Sequence, residues 1–186
     1  MKLRAESAHC GLTAAGSPPD VRDASSARAP VSRAAPRMAF LILFGGGDGY
    51  CYAFDPVPRE VPGKKVKTLR TVWKCDANPP EYRVRNGKPL PYNKNHEGPS
   101  EIIGTPVFYD NRVYVTIGQD TRHGPGPGCL TCIDPRGSGD ISKTGVLWRY
   151  KKINRSMATP SVIDGLVFVA DVVGDIHCLD ARTGKL

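Results

Sequence analysis

Nowhere does the chain reach the roughly 18 consecutive apolar residues that a membrane-crossing helix needs, so no membrane span is expected. Its densest apolar run, AFLILF at 39–44, is shorter than the roughly 7–15 residues of a secretory h-region and runs straight into the turn GGGDG; it reads as a strand, and no signal peptide is expected in this chain. Aromatic residues are missing altogether from residues 1–38, which are rich in Ala, Ser, Pro and Arg and show neither a period-2 nor a period-3.6 apolar pattern. Such a head cannot bury enough surface to offset its chain entropy, and it reads as disordered or as a non-native N-terminus. Acidic residues are outnumbered, 18 against 26 Lys and Arg, for a formal charge of +8. The basic residues are nonetheless scattered, and the densest runs, KKVKTLR (64–70) and WRYKKINR (148–155), abut Trp-bearing strands. They read as solvated strand edges, and no nucleic-acid partner is expected. None of the six cysteines adjoins another, and their spacing defines no disulfide framework.

What the chain does contain, from residue 39 on, is an internal repeat. GTPVFYDNRVYVTIG (104–118) matches ATPSVIDGLVFVADV (158–172), with Thr105-Pro106 on Thr159-Pro160 and Asp110-Asn111 on Asp164-Gly165. GYCYAFDP (49–56), GCLTCIDP (128–135) and GDIHCLDA (174–181) form a second set, each ending on an Asp: Asp55, Asp134 or Asp180. A Trp strand follows in two of them, at Trp73 and Trp148. The unit is therefore strand, Asp-Asn or Asp-Gly turn, strand, Gly turn, strand ending in Asp, loop, Trp strand. The Asp carboxylate suits its turn because it accepts from a backbone N–H two residues on, and Gly184 supplies a positive φ to end the last one.

Four short antiparallel strands recurring every 40–55 residues or so mark β-propeller blades. The expected fold is all-β, an incomplete propeller of about two and a half blades. Its divisions are the end of a first blade at 39–75, an insertion at 76–100, a complete blade at 101–152 and a truncated blade at 157–186. Because the last unit stops before its Trp strand, the chain reads as a piece of a longer protein whose remaining blades are its first partners.

With TPVFYDNRVYV, TPSVIDGLVFVADVVGDIHCLDARTGK and GGGDGYCYAFDP in view, residues 40–186 outside the insertion resemble the PQQ-binding-like β-propeller repeat family. That family includes the propellers of bacterial quinoprotein dehydrogenases and of the outer-membrane assembly lipoprotein of the BAM machinery. The resemblance implies an extracytoplasmic protein, acting either as a binding or scaffold module or, alternatively, as part of a PQQ-dependent alcohol or sugar dehydrogenase. The enzymes of the family carry a vicinal Cys pair and a Ca²⁺ site of Glu, Asn and Asp. Neither pattern occurs here, so no matched residue supports a quinone, a metal or a catalytic group, and PQQ rests on the resemblance alone.

Residue chemistry adds little catalysis. Cys129 and Cys132 form a CxxC, but residues three apart on a strand face opposite ways, and both read as buried, inert thiols. GGGDG (45–49) lacks the further Gly and following helix of a dinucleotide fingerprint and reads as a hairpin turn at Asp48-Gly49. His177, mid-strand, reads as a packed, hydrogen-bonded side chain. His96 and His123 differ, since both lie in long excursions. In an antiparallel blade the loop QDTRHGPGPG (119–128) and the insertion at 76–100 emerge on one face, and loops beyond about 12 residues are commonly functional. Tyr92, His96, Glu97, Asp120, Arg122 and His123 are the candidate surface there for a protein, peptide or glycan.

Overall fold

The computed structural model describes residues 2–4, 40–63, 65–92 and 98–186. Its elements in chain order are β1 (Lys2–Arg4), β2 (Ile42–Gly45), β3 (Tyr50–Phe54), β4 (Thr71–Asp76), α1 (Pro80–Arg83), β5 (Val84–Arg85), β6 (Lys88–Pro89), β7 (Val107–Tyr109), β8 (Arg112–Ile117), β9 (Cys129–Ile133), β10 (Gly139–Asp140), β11 (Val146–Tyr150), β12 (Ser161–Ile163), β13 (Leu166–Ala170) and β14 (Asp175–Asp180). Among the described residues one 3-10 turn occurs, at Thr121–His123. The described chain is thus nearly all β, and no helix among these residues is long and apolar enough to cross a membrane.

Three four-stranded sheets follow one another, with β5 and β6 as a separate ribbon. In the middle sheet β7, β8, β9 and β11 pair antiparallel in chain order, the arrangement of a propeller blade. The first sheet consists of β2, β3 and β4, joined at its edge by the two-residue β10, which leaves the middle sheet to run parallel to β4. In the third sheet β12, β13 and β14 repeat the pattern, and β1 lies parallel along β14. The rest of the head, and the disorder expected of it, lies outside the described residues.

Local chemistry sets these turns. Asp110 and Asn111 have φ of 45° and 56°, and Asp164 and Gly165 have 49° and 77°, the left-handed pairs that two-residue hairpins require. Asp55 and Asp134 each accept from the N–H two residues on, at Val57 and Arg136 (both 3.1 Å). Asp180 departs from the expected spacing: its carboxylate takes the N–H of Thr183, three residues on, at 2.7 Å. The longer Asp180 turn is closed by Gly184 at φ 69°.

Alternation along the strands then makes two cores. Cys51, Ala53, Trp73 and Cys75 of the first sheet pack with Val113, Val115, Ile117, Cys129 and Ile133 of the middle sheet. The opposite face of the middle sheet, with Tyr114, Leu130, Cys132 and Tyr150, packs with Val167, Val169 and Leu179 of the third. Trp73 and Trp148 occupy corresponding places, opposite Ala53 on β3 and Cys132 on β9. Trp73 is fully buried, whereas Trp148 is partly buried and donates from Nε1 to the Ala181 carbonyl at 3.3 Å. Even the repeated Thr residues meet, since Thr105 N donates to Thr159 Oγ1 at 3.0 Å. Pro106 and Pro160 sit just before β7 and β12, where no ladder N–H is lost.

Candidate functional site

Chain reversal at every turn sends the loop between β8 and β9, the long excursion between β4 and β7, and the segment between β11 and β12 to one end of the sheets. Backbone and side-chain bonds tie them together there. Glu101 and Gly118 exchange both backbone hydrogen bonds at 2.9 Å. Gln119, fully buried, donates to the Pro99 carbonyl at 3.1 Å, and the Asn78 amide pairs with the backbone of Ser100 (2.8 and 2.9 Å). Tyr82 donates its hydroxyl to the Gly128 carbonyl at 3.2 Å. Two glycines permit the approach: a Cβ on Gly118 would lie 2.4 Å from the Ser156 carbonyl oxygen, and one on Gly128 would lie 2.1 Å from that of Asn154.

Four of the candidate surface residues lie on this end. Asp120 caps the 3-10 turn by accepting from Arg122 N at 2.8 Å and is clamped by the Arg122 guanidinium at 3.0 Å. Those bonds hold its carboxyl down at about 2. His123 Nδ1 meets Gln119 Oε1 at 3.1 Å, and its ring lies 6.1 Å from that of Tyr92, edge to face. Tyr92 remains 46% exposed, and burial of its hydroxyl together with its bond to Glu101 pushes the phenol above its usual range. His96 and Glu97 lie outside the described residues.

The second basic run is not the solvated edge that its composition suggests. Lys151 and Lys152 are exposed, but Arg149 turns inward to donate to the Asp76 carbonyl at 2.9 Å, and Arg155 is fully buried. Arg155 lies beneath the 119–128 loop, with Nη1 donating to the His123 carbonyl at 3.0 Å and its own N–H donating to the Gly126 carbonyl at 2.9 Å. No periodicity singles it out. The available signal was the GPGPG stretch, whose glycines at 126 and 128 let the loop press on residues 154 and 155.

Elsewhere the polar and thiol groups are structural. His177, 3% exposed, lies 3.0 Å from the Tyr150 hydroxyl through Nδ1 and 3.3 Å from Asp171 Oδ2 through Nε2. Cys129 and Cys132 enter different cores, and burial pushes their thiols up to about 11 and about 12. Cys51 and Cys75, unremarkable in sequence, face each other across β3 and β4, and burial raises both, Cys75 to about 12. No group of three or more His, Cys, Asp or Glu side chains that could hold a metal ion occurs among the described residues. The vicinal Cys pair and the Ca²⁺ carboxylates of the family's enzymes are unmatched in the sequence.

No family model matches the chain, and no curated protein matches it. Among solved structures it resembles the crystal structure of BamB from Moraxella catarrhalis, with a TM-score of 0.50 and 18% identity over 81% of this chain and 34% of that one. The chain thus spans about a third of that protein's length. At this identity the likeness is one of fold, and the fold is that of a β-propeller.

Proposed function

We propose that this chain is a binding or scaffold module that engages a protein, peptide or glycan through its loop-bearing end, as part of an extracytoplasmic propeller whose further blades cover the open faces of the first and third sheets. One observation carries the reading: three loops from two blades are locked together by buried side-chain and backbone bonds, yet present exposed Tyr92 and the Asp120–Arg122 pair outward. Rigid presentation of polar and aromatic groups is what recognition needs, because little ordering entropy is then lost on binding. Peptides selected by display against the full chain test it. Y92A, R122E and H123A are expected to weaken the selected peptides at least about tenfold, whereas R136E at the opposite end leaves them unchanged; the reverse pattern refutes the reading.

A further inference from the structure

Arg155 is held in one orientation but left half unpaired. Nη1 donates to the carbonyls of His123 and Gly124 at 3.0 and 3.4 Å, while Nε and Nη2 have no hydrogen-bond partner among the described residues. Those two nitrogens share one edge of the planar guanidinium, the edge that takes a carboxylate through two parallel bonds. A buried cation without a counter-ion is costly, and burial drags this guanidinium below its usual value. Among the described residues the carboxylates packed into neighbouring elements are committed elsewhere: Glu101 to Tyr92, Asp120 to Arg122, Asp171 to Asn154 and His177, Asp76 to Arg83.

The surroundings narrow what would complete the pairing. Gly126 lies against the group, so that a Cβ there would fall 2.8 Å from Cζ and Nε and 3.2 Å from Nη2. The roof from Gly124 to Gly128 carries side chains only at Pro125 and Pro127; a ligand must displace its middle at Gly126, giving up that residue's bond to the Arg155 N–H, while Gln119 on Pro99 and the Glu101–Gly118 pair keep the rest of this end fixed. Tyr92 is close enough to interact electrostatically with the guanidinium and offers an exposed ring beside it. Arg122, the other cation of this loop, is already paired with Asp120. A single positive charge with a planar fork matches a monoanionic carboxylate better than a dianionic phosphate, and a polypeptide brings apolar side chains for the Tyr92 ring.

We infer that the Nε and Nη2 edge of Arg155, roofed by Gly124–Gly128 and flanked by Tyr92, receives a carboxylate of a polypeptide partner, either an acidic side chain or a C-terminus. The inference rests on the binding role proposed for this end and names the chemistry recognised there. In the full chain carrying ¹⁵N arginine, the Arg155 Nε–H signal is followed while hexaglutamate is added, with hexaglutamine, hexagalacturonate and inorganic phosphate in parallel. Hexaglutamate is expected to shift that signal saturably and hexaglutamine to leave it in place. R155K should bind hexaglutamate at least about tenfold more weakly, because a lysine cannot supply two parallel bonds. A signal unmoved by millimolar hexaglutamate, undiminished affinity in R155K, or a response to hexagalacturonate or phosphate in its place overturns the assignment. The wild-type titration does not depend on any variant folding. Display-selected peptides that ignore R155K but lose affinity on Y92A or R122E would sink this inference and leave the binding role standing, whereas peptides indifferent to all of these substitutions would sink the binding role itself.

Discussion

Asp171 shows how a single carboxylate can organise a blade. Its Oδ2 takes the backbone N–H and side-chain amide of Asn154 at 3.2 and 3.1 Å, and its Oδ1 takes the N–H groups of Val173 and Asp175 at 3.1 and 3.2 Å. His177 Nε2 at 3.3 Å completes the set and links it to Tyr150 of the middle sheet. Removing the acceptor strands several buried donors at once, so D171A is expected to cost about 3 kcal/mol in urea unfolding. Burial pushes this carboxyl up, but the bonds from Asn154, His177 and Asp175 outweigh it and hold the group below its usual range. A depressed folded value contributes stability in full above the unfolded value of about 4 and loses it as pH falls through the lower folded value. The thermal midpoint of the wild type should therefore fall more steeply than that of D171N between about pH 4 and pH 2; parallel slopes would contradict the assignment. The thiols allow a second check at this scale. Cys51, Cys75, Cys129 and Cys132 are buried with raised values, so none should react with a disulfide reagent at pH 8 until urea exposes it.

At the scale of strands and loops, glycine positions separate two kinds of constraint. Gly118 and Gly128 are places of backbone contact, where an added methyl would meet the carbonyls of Ser156 and Asn154, atoms that cannot swing aside. Gly165 instead has open space around it and only a φ of 77° to satisfy. G128A is accordingly expected to cost about 2–3 kcal/mol in chemical unfolding and to loosen the loop-bearing end, and G165A only about 1 kcal/mol. Equal costs would show that loop docking is not what holds this end. The same contrast explains what the sequence makes legible. Asp-Asn and Asp-Gly turns, Trp strands and the Asp55, Asp134 and Asp180 positions depend on neighbours a few residues away, so the strands and their order can be read directly, and the propeller with them. The gathering of Tyr92, Asp120, Arg122 and His123 on one end follows from strand count alone. Arg155 does not, because its burial depends on a loop some 30 residues earlier pressing on it, and Lys151 and Lys152 beside it are solvated. The Cys51 and Cys75 pairing is hidden for a similar reason, being set by register across an intervening loop.

For the molecule as a whole, each blade has one face for the preceding blade and one for the following, and the repeat shows which positions belong to which. Residues 113, 115, 129, 131 and 133 of the middle sheet turn to the first sheet, and their counterparts in the first sheet are Ile42, Phe44, Tyr50, Tyr52 and Phe54. Within the described chain no further blade packs on that side: Phe44 is 60% exposed, and Phe40 beside it 92%. At the other end the outward positions of the third sheet include Phe168, Ile176 and Cys178, with Ile163 59% exposed at their edge. Two apolar faces of opposite sense remain, one shaped to follow a blade and one to precede it, and contiguous apolar surface of this kind drives association in water. Two copies should meet head to tail, because a third-sheet face seats on a first-sheet face as the middle sheet seats on the first. Sedimentation velocity of the full chain is expected to show concentration-dependent association in the micromolar range. F44K alone should reduce it, since one lysine on the edge strand β2 spoils one of the two faces that every contact needs, while the far-ultraviolet circular dichroism stays unchanged. A monodisperse monomer at all concentrations, or association indifferent to F44K, would mean that these faces are not the sticky ends of an open arc of blades.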